Sequence, residues 1–468
     1  MLLHSKSNVS ALLLVSLLSF VITIIMTSTT ANALSASTTK TNDDITVMLK
    51  QNFPHMLSYE TRKVITQANA EGQRLLLTLH EDETPYDHEV FCKRVAVKDY
   101  IATKKDWADL RRTLLYMRTE VRFYRETLPF LQQAAGLQAA PKVYVAQHDL
   151  AQEGWIPDDE SGLAPAGAPP DVYERYQKNQ DKDLSTIKGS GEIIMDCVND
   201  DDYRQASPVT VDQAKQCLFA VAQMHAAAWQ NEKLLSHCAQ RLSLASFHLQ
   251  VRNPKELEGM AASWEHFSTQ FAGPLQEAGL TERTKTLGAR LKRVAPFLSQ
   301  QLSPRPSDPY ATLVHGDYKA MNVFLPQKPN LPALIVDYAS TGIGLGVSDV
   351  AMHIHHAVLP GDLANGGEGE LLDYYVSELQ CMLPDGTIYP NEVALQQYRM
   401  AVVDYGRFVL GRFWKAATPE TFEKRKDSPN TTLINRNVDA AMAFIDRLER
   451  YLSELEEQQT KDKHAGEL

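Results

Sequence analysis

Two acidic residues in one segment constrain this chain most. A short apolar run ends at Val314 and leads into a polar turn that contains Asp317. The apolar run from Ala333 to Val336 leads directly to Asp337. Turns favour Asp and Asn for conformational reasons alone, so either residue by itself would indicate little more than a β-hairpin. The residues that accompany the two acids are more specific.

The spacing of these polar residues indicates phosphoryl transfer. Asn322 follows Asp317 by five residues, and Asp337 follows Asn322 by fifteen. Phosphoryl transfer uses a carboxylate beside the attacking hydroxyl and oxygen ligands for the metal that bridges the phosphates. Asp317 is therefore predicted as the base or orienting group. Asn322 and Asp337 are predicted as Mg²⁺ ligands, because Mg²⁺ prefers oxygen and keeps several waters. Lys319 can place a cation on the transferring phosphate.

The motif HGDYKAMN from His315 to Asn322, followed by LIVDYA, resembles the aminoglycoside phosphotransferase/choline kinase superfamily. It is most similar to the CHK kinase-like branch, which includes ecdysteroid kinase-like proteins. The resemblance extends over about residues 89 to 360 and is most specific in the catalytic segment. It implies an α+β, protein-kinase-like, two-lobed fold, with a small lobe of sheet plus helix and a larger, mainly helical lobe. It also implies an ATP-dependent small-molecule kinase with ATP and Mg²⁺ as cofactors, and it groups His315 with the catalytic residues.

The same resemblance assigns residues nearer the amino terminus. Lys93, in the strand VFCKR, matches the lysine that contacts the donor phosphates, and Lys98 is the alternative on the same segment. Glu120 matches the glutamate that holds this lysine. The segment implied to meet the adenine comprises Met195, Asp196 and Cys197.

A glycine-rich phosphate loop is missing from the first predicted strands. The turn there contains only Gly72, where a protein kinase carries G-x-G-x-x-G. Two alternatives to an active kinase therefore stay open. One is a catalytically inactive kinase-like protein that binds a nucleotide or ligand, and the other is a secreted glycoprotein that uses the fold only as a surface.

The chain of 468 residues is long enough for more than one lobe with its own core. We predict a small lobe over 34–196 with an insertion loop at 150–190, a large lobe over 197–460 and a disordered tail over 461–468. A helix is predicted from Lys104 to Leu131 and another from Val211 to Trp229. His225 on the latter is predicted to be a core or capping residue. Three histidines at 353, 355 and 356 raise a zinc site as a minor alternative.

The amino terminus has the pattern of a secretory signal. Lys6 precedes an apolar run from Ala11 to Met26, and Ala31-Asn32-Ala33 follows as a cleavage motif. We therefore expect a signal peptide over 1–33 and a secreted or lumenal protein. The apolar run is shorter than the ~20 residues of a membrane span, so no stable span is expected after cleavage. An uncleaved membrane anchor and a bipartite plastid signal are the alternatives.

Charge and cysteine content exclude other classes. Residues 34–468 contain 46 basic and 58 acidic side chains, which argues against broad nucleic-acid binding. The five cysteines are scattered and odd in number, so the sequence predicts no disulfide framework.

The acceptor is predicted to be a hydroxylated small molecule with an apolar body, such as a sterol-like or isoprenoid alcohol, rather than an aminoglycoside or choline. The prediction depends on aromatic stripes in the second lobe that could wall a site. These are Trp264, Phe267, Phe271, Tyr405, Phe408 and Trp414. The alternative is that the rings simply fill the core.

Overall fold

The computed structural model describes residues 45–66, 71–81, 84–97, 107–150, 189–242, 249 and 254–466. The signal segment, Lys98 and nearly all of the predicted insertion lie outside these residues. Among the described residues, no helix has both the length and the apolar character to span a bilayer.

An antiparallel sheet occupies the first part of the chain, after helix α1 at residues 45–52. Its strands are β1 (Met56–Thr66), β2 (Glu71–Glu81), β3 (Thr84–Ala96), β4 (Val143–His148) and β5 (Ser190–Asp196), in the order β1-β2-β3-β5-β4. The described residues up to Arg62 and the range Leu75–Val90 form one compact unit. The range Lys63–Arg74 and the described residues from Phe91 onward form another. Every predicted site residue belongs to the second unit.

A broken helix separates β3 from β4. Helix α2 (Trp107–Arg122) runs into a π-helical turn (Phe123–Thr127) and then into α3 (Leu128–Ala135). The continuous helix predicted as far as Leu131 is therefore interrupted, although its carboxyl-terminal part is helical as expected. The π-turn buries Phe123 and Tyr124, and such turns are often found at functional sites.

The remainder of the chain is mainly helical, as the predicted protein-kinase-like α+β fold requires. Helix α4 (Val211–Ala228) begins at Thr210 with a complete capping box. The other helices are α5 (Glu232–Arg241), α6 (Pro254–Glu258), α7 (Met260–Gln270), α8 (Ala272–Glu277), α9 (Leu287–Gln301), α10 (Val347–Ala357), α11 (Pro360–Leu363), α12 (Gly367–Met382), α13 (Asn391–Arg412), α14 (Pro419–Arg425) and α15 (Val438–Gly466). Helix α15 extends into the segment that was predicted as a disordered tail.

Short antiparallel strands interrupt the helices where the motif lies. Strands β6 (Tyr203–Arg204), β8 (Val323–Pro326) and β9 (Leu334–Ile335) form one small sheet, and β7 (Ala311–Val314) pairs with β10 (Gly342–Leu345). Strand β7 leads into the turn that contains Asp317, and β9 leads into the turn that contains Asp337. They deliver both predicted acids from a rigid support.

Four of the aromatic residues predicted to wall an acceptor site instead form a stacked core. Phe267 lies 4.1 Å from Trp414 and 4.5 Å from Phe271, centroid to centroid, and Trp264 lies 5.9 Å from Phe267. All four are at most 4% exposed. The prediction that these four rings line an acceptor site is therefore wrong, because they are buried against one another.

A buried polar cluster joins four helices of the second unit. Glu368 of α12 accepts hydrogen bonds from Tyr398 Oη at 2.9 Å and Tyr451 Oη at 3.2 Å, and it pairs with Arg447 of α15. His355 Nε2 of α10 lies 3.4 Å from its Oε1. Burial alone would raise the pKa of Glu368, but His355 and Arg447 hold it at about 2. The cluster therefore depends on an ionised carboxylate.

Replacing Glu368 with alanine should destabilise the protein by about 3–5 kcal/mol, because it leaves Arg447 buried without its carboxylate. The pKa of about 2 lies below the ordinary 4.5, so this stabilisation is present above pH 4.5 and is lost as the pH falls towards 2. Urea unfolding at pH 7 measures the loss. The control is Glu370→Ala, which removes an exposed side chain from the same helix and should change stability by less than about 0.5 kcal/mol. Equal losses in both variants would contradict the prediction.

Candidate active site

The structure brings Lys93, Glu120 and Asp337 together. Lys93 Nζ lies 2.6 Å from Glu120 Oε2 and 2.8 Å from Asp337 Oδ1. Only 9% of the lysine side chain is exposed. Strand β3, helix α2 and the turn after β9 each supply one member, and Lys93 and Asp337 are 244 residues apart in the chain. Such a convergence of distant charges in a buried place is typical of a functional site.

The β8–β9 hairpin places Asp337 beside Asn322. Val323 pairs with Ile335, and the N–H of Val336 donates to the carbonyl of Asn322 at 3.0 Å. Asp337 therefore comes one residue after the pair that contains Asn322. Its φ of 66° lies in the left-handed region, which a non-glycine residue adopts at some cost.

Tyr338 holds this strained turn in place. Its ring stacks on Phe123 at 4.0 Å and meets Tyr124 edge-on at 5.6 Å, and it is fully buried. Phe123 and Tyr124 follow Glu120 by three and four residues, about one helical turn. The aromatic contacts therefore fix the segment that carries Asp337 against the helix that carries Glu120.

The turn after β7 contains the other predicted residues. Lys319 Nζ donates to Asp317 Oδ2 at 2.9 Å. Asn322 Nδ2 donates to the carbonyl of Asp317 at 2.8 Å, which leaves its Oδ1 as the amide atom able to bind a cation. Both the carboxylate and the backbone carbonyl of Asp317 are therefore held by residues of the same turn.

Asp349 braces that turn from helix α10. Its Oδ2 accepts the N–H of His315 at 2.6 Å, and its Oδ1 accepts the N–H of Gly316 at 2.9 Å. Gly316 has a φ of 78°, a conformation that suits glycine. His225 Nε2 lies 3.1 Å from the same carboxylate, and Tyr375 Oη lies 2.8 Å from His225 Nδ1. His225 is fully buried in this network, which confirms that it is a core residue.

A close approach at Gly346 completes the brace. A Cβ added there would lie 2.6 Å from His225 Nδ1 and would also collide with the Tyr375 hydroxyl. Real Cβ atoms do not approach so closely, so only glycine allows α10 to begin at this point.

His315 connects the two acids without exposing its ring. Its Nδ1 accepts the N–H of Asp317 at 3.3 Å, and its Nε2 lies 3.0 Å from the carbonyl of Val336. A carbonyl can only accept, so Nε2 donates the proton of this hydrogen bond. Because the side chain is fully buried, His315 is a positioning residue.

The charges of the site act on one another. Burial alone would raise the pKa of Asp337, but Lys93 and Lys319 outweigh it and hold the value at about 2. Burial raises the pKa of Glu120 to about 7, with Lys93 opposing the rise and Asp337 adding to it. Asp317 raises the pKa of Lys319. Asp337 is therefore ionised and both lysines are cationic at neutral pH.

Replacing Glu120 with glutamine should change how stability depends on pH. The folded-state pKa of about 7 exceeds the ordinary 4.5, so the contribution of Glu120 is fully present below pH 4.5 and is lost as the pH rises through 7. The wild type should therefore lose stability relative to Glu120→Gln over this range, by up to about 1.4 kcal/mol per pH unit.

Urea unfolding at pH 5 and pH 8 measures this difference. The control is Glu265→Gln at an exposed position of α7, which should follow the wild type at both pH values. Parallel pH profiles for the wild type and Glu120→Gln would show that the pKa of Glu120 is not raised.

The segment predicted to meet the adenine lies at the end of β5. The N–H of Asp196 donates to the carbonyl of Lys142 at 2.8 Å, and its Oδ1 accepts from Tyr144 Oη at 2.6 Å. Met195 is buried and Cys197 is half-buried. The segment is thus anchored to the edge strand β4, and its role in adenine binding stays a prediction.

Gly72 lies in β2 rather than in the preceding turn. A Cβ there would lie 2.7 Å from the ring of Phe91, so the glycine makes room for this ring. Its position gives it a packing role.

The donor set fits a magnesium ion better than zinc. Within the described ranges, no group of three or more His, Cys, Asp or Glu side chains is placed to hold a metal. His355 contacts Glu368 and so belongs to the buried cluster, which argues against the zinc alternative. Asn322 and Asp337 offer an amide oxygen and an ionised carboxylate from neighbouring positions of one hairpin, as Mg²⁺ requires.

Helix α10 contacts the catalytic turn through Asp349 and His353. Asp349 accepts hydrogen bonds from the N–H groups of His315 and Gly316, and the ring of His353 lies 5.2 Å from that of Tyr318. The two residues are four apart, a spacing that places them on one face of a helix. The sequence carries this signal, although the histidines of this helix were predicted only as a minor zinc alternative.

The fold and this site define the class of protein. A small antiparallel sheet, a buried Lys–Glu pair and an Asp-x-Lys-x-x-Asn turn followed by a second Asp place the chain in the superfamily of small-molecule kinases with a protein-kinase-like fold. The chain belongs to the ecdysteroid kinase-like family, whose model matches residues 74–385.

Solved structures that match the chain include small-molecule kinases. Choline kinase from Streptococcus pneumoniae is 10% identical, with 88% of this chain and 98% of that chain covered and a TM-score of 0.39. An amicoumacin kinase in complex with AMP-PNP, Ca²⁺ and its ligand is 11% identical, with 87% and 93% covered and a TM-score of 0.41. An aminoglycoside phosphotransferase from Streptomyces rimosus is 13% identical, with 78% and 98% covered and a TM-score of 0.32. No curated protein matched the sequence significantly.

Proposed function

We propose that the protein transfers the γ-phosphoryl group of ATP to a hydroxyl group of a small molecule. The observation that carries the proposal is the buried position of Lys93 between Glu120 and Asp337, at 2.6 and 2.8 Å. A lysine held by one carboxylate from a helix and another from a metal-binding turn is the arrangement that kinases use to bind donor phosphates. A structural ion pair would need only one of the two acids.

The residues of the catalytic turn have distinct roles in the proposed reaction. The acceptor oxygen forms a bond to the γ-phosphorus, and the bond from that phosphorus to the bridging oxygen of ADP breaks. Asp317 orients the acceptor hydroxyl and takes its proton. Lys319, 2.9 Å from Asp317, stabilises the negative charge on the transferring group. His315 and Asp349 keep Asp317 in position.

Asn322 and Asp337 are the residues that would hold Mg²⁺. When bound there, the ion supplies positive charge that neutralises the donor phosphates. Lys93 adds a second positive charge from the side of β3. Because the ionised Asp337 contacts Lys93 directly, the lysine and the metal ligand are held in a constant relation to each other.

Thermal unfolding with ATP, with and without Mg²⁺, tests this proposal together with a labelled-phosphate assay. An active kinase should be stabilised by ATP in a Mg²⁺-dependent way and should transfer label to a small molecule. Stabilisation without transfer to any acceptor would indicate an inactive nucleotide-binding protein. No stabilisation under either condition would contradict nucleotide binding.

The variant Asp337→Asn tests the metal assignment. The amide lacks the charge that binds Mg²⁺, so we expect the Mg²⁺ concentration for half-maximal activity to rise by about tenfold or more. Titrating Mg²⁺ at saturating ATP measures the shift. The control is Asp385→Asn, at an exposed position, which should keep the wild-type Mg²⁺ requirement. An unchanged requirement in Asp337→Asn would remove Asp337 from the metal site.

A further inference from the structure

One sequence motif of the helical part of the chain lies outside the candidate active site. Asn430-Thr431-Thr432 has the form Asn-x-Thr, at which proteins that enter the secretory lumen receive an N-linked glycan. Residues 34–468 contain no other Asn-x-Ser or Asn-x-Thr sequence. The sequence of this form that begins at Asn8 lies inside the predicted signal peptide. Because so short a motif also arises by chance, its place in the fold decides whether it can accept a glycan.

The acceptor asparagine lies at the tip of a turn. The N–H of Thr431 donates to the carbonyl of Ser428 at 3.1 Å, which closes a β-turn. Pro429 and Asn430 are its two central residues, and proline suits the first of these positions because its φ is already fixed. The Asn430 side chain is exposed, as are the five charged residues at 423–427. A bulky hydrophilic group on Asn430 therefore meets solvent and a hydrated surface.

A buried arginine holds this turn in place. Arg436 donates to the carbonyls of Thr431 and Lys426, each at 2.8 Å. Its Nη2 donates to Ser207 Oγ at 2.8 Å, so the turn is also connected to the segment before α4. The backbone is thus anchored on both sides of Asn430, and the exposed tip is a fixed feature of the surface.

The third residue of the motif is buried, in contrast to the first. The Thr432 side chain is 6% exposed, and its hydroxyl donates to the carbonyl of His355 at 3.4 Å. Since the motif requires a hydroxyl at this position, the enzyme that transfers the glycan must reach it. In the folded protein this hydroxyl is out of reach. The modification therefore has to precede the folding of residues 430–432.

We propose that Asn430 carries an N-linked glycan, added as the chain enters the secretory lumen and before this segment folds. Asn430 Nδ2 forms a bond to the anomeric carbon of an oligosaccharide, and the bond from that carbon to a lipid diphosphate carrier breaks. The amide proton passes to the leaving diphosphate. The predicted signal peptide over 1–33 provides the entry that this reaction needs. The inference is independent of the proposed kinase function, because it uses no residue of the candidate active site.

The first test uses the full chain expressed in a eukaryotic cell line that secretes glycoproteins. We expect peptide N-glycosidase to shift the protein to a lower mass in one step, and peptide mass spectrometry to locate the released glycan at Asn430. Asn430→Gln should abolish the shift. The matched control is Asn391→Gln, an exposed asparagine outside any such motif, which should keep the shift. A wild type without a shift, or an Asn430→Gln variant that keeps one, would overturn the inference.

Two variants of Thr432 test whether the hydroxyl is required. Thr432→Ser keeps the hydroxyl and should keep the glycan, whereas Thr432→Ala should lose it. The alanine variant also loses the hydrogen bond to His355, so the shift is scored on denatured whole-cell protein, which makes the result independent of folding. A glycan on Thr432→Ala would contradict the assignment.

The order of events is tested with solubilised oligosaccharyltransferase and its lipid-linked donor. The acceptors are the full chain, folded after synthesis without membranes, and a synthetic peptide of residues 424–436. We expect transfer to the peptide and none to the folded chain, because only the peptide leaves the Thr432 hydroxyl accessible. Equal transfer to both would show that the burial of Thr432 does not restrict the reaction and would overturn this part of the proposal.

Discussion

Replacing Asp317 with asparagine is expected to reduce phosphoryl transfer by at least about 10²-fold, the usual effect of losing a catalytic base. The asparagine has the same shape, and its Oδ1 can still accept from Lys319, so the fold should be retained. The backbone of the turn is held independently, because Asp349 binds the N–H groups of His315 and Gly316. Turnover of the labelled acceptor and thermal unfolding of the same preparation check both halves of the expectation.

The control for this variant is Asp385→Asn, the exposed aspartate also used for the Mg²⁺ titration. It should retain wild-type turnover. Wild-type turnover in Asp317→Asn would remove Asp317 from the mechanism. A variant that loses both activity and folded structure would show that Asp317 supports the fold, which the independent brace by Asp349 makes unexpected.

Replacing Lys93 with methionine is expected to raise the KM for ATP sharply or to abolish activity, by about 10²-fold or more in kcat/KM. The change also removes the cation between Glu120 and Asp337, so the folded protein should lose a few kcal/mol of stability. Lys93→Met should therefore lower both activity and stability. A second variant is needed to distinguish lost phosphate binding from lost folding.

The double variant Lys93→Met/Glu120→Gln makes that separation. The glutamine removes one of the two carboxylates that would otherwise remain unpaired, so stability should partly recover while activity stays lost. Lys292→Met, at an exposed position of α9, is the matched control and should behave as the wild type. If Lys98→Met lost activity and Lys93→Met kept it, the phosphate contact would belong to Lys98 instead.

Buried residues connect the turn that contains Asp317 with the segment that ends at Asp337. His315 touches the Asp317 backbone with one ring nitrogen and the residue before Asp337 with the other. Tyr338 then ties the same segment to the helix that carries Glu120. Asn322 makes a second link, because its Nδ2 donates to the carbonyl of Asp317 and its own carbonyl accepts from the N–H of Val336.

The sequence by itself determined the local parts of this protein. The spacing of Asp317, Lys319 and Asn322 places all three in one turn, and neighbouring residues can be predicted because few bonds separate them. The periodicity of apolar residues likewise predicted helices over 104–131 and 211–229, since this period follows from local backbone geometry. The position of Asp337 directly after an apolar strand could be predicted in the same way.

Only the tertiary structure decided which distant residues meet. Lys93 and Glu120 were assigned through resemblance and Asp337 through its spacing from Asn322. Nothing in these positions requires Lys93 Nζ to lie 2.6 Å from Glu120 Oε2 and 2.8 Å from Asp337 Oδ1. The spacing of the aromatic residues of α7 is compatible with a core and with a ligand wall. In the structure Phe267 stacks on Trp414, so these residues belong to the core. The burial of a side chain and the charges beside it depend on segments far apart in the chain. Both are therefore established only when the helices have packed.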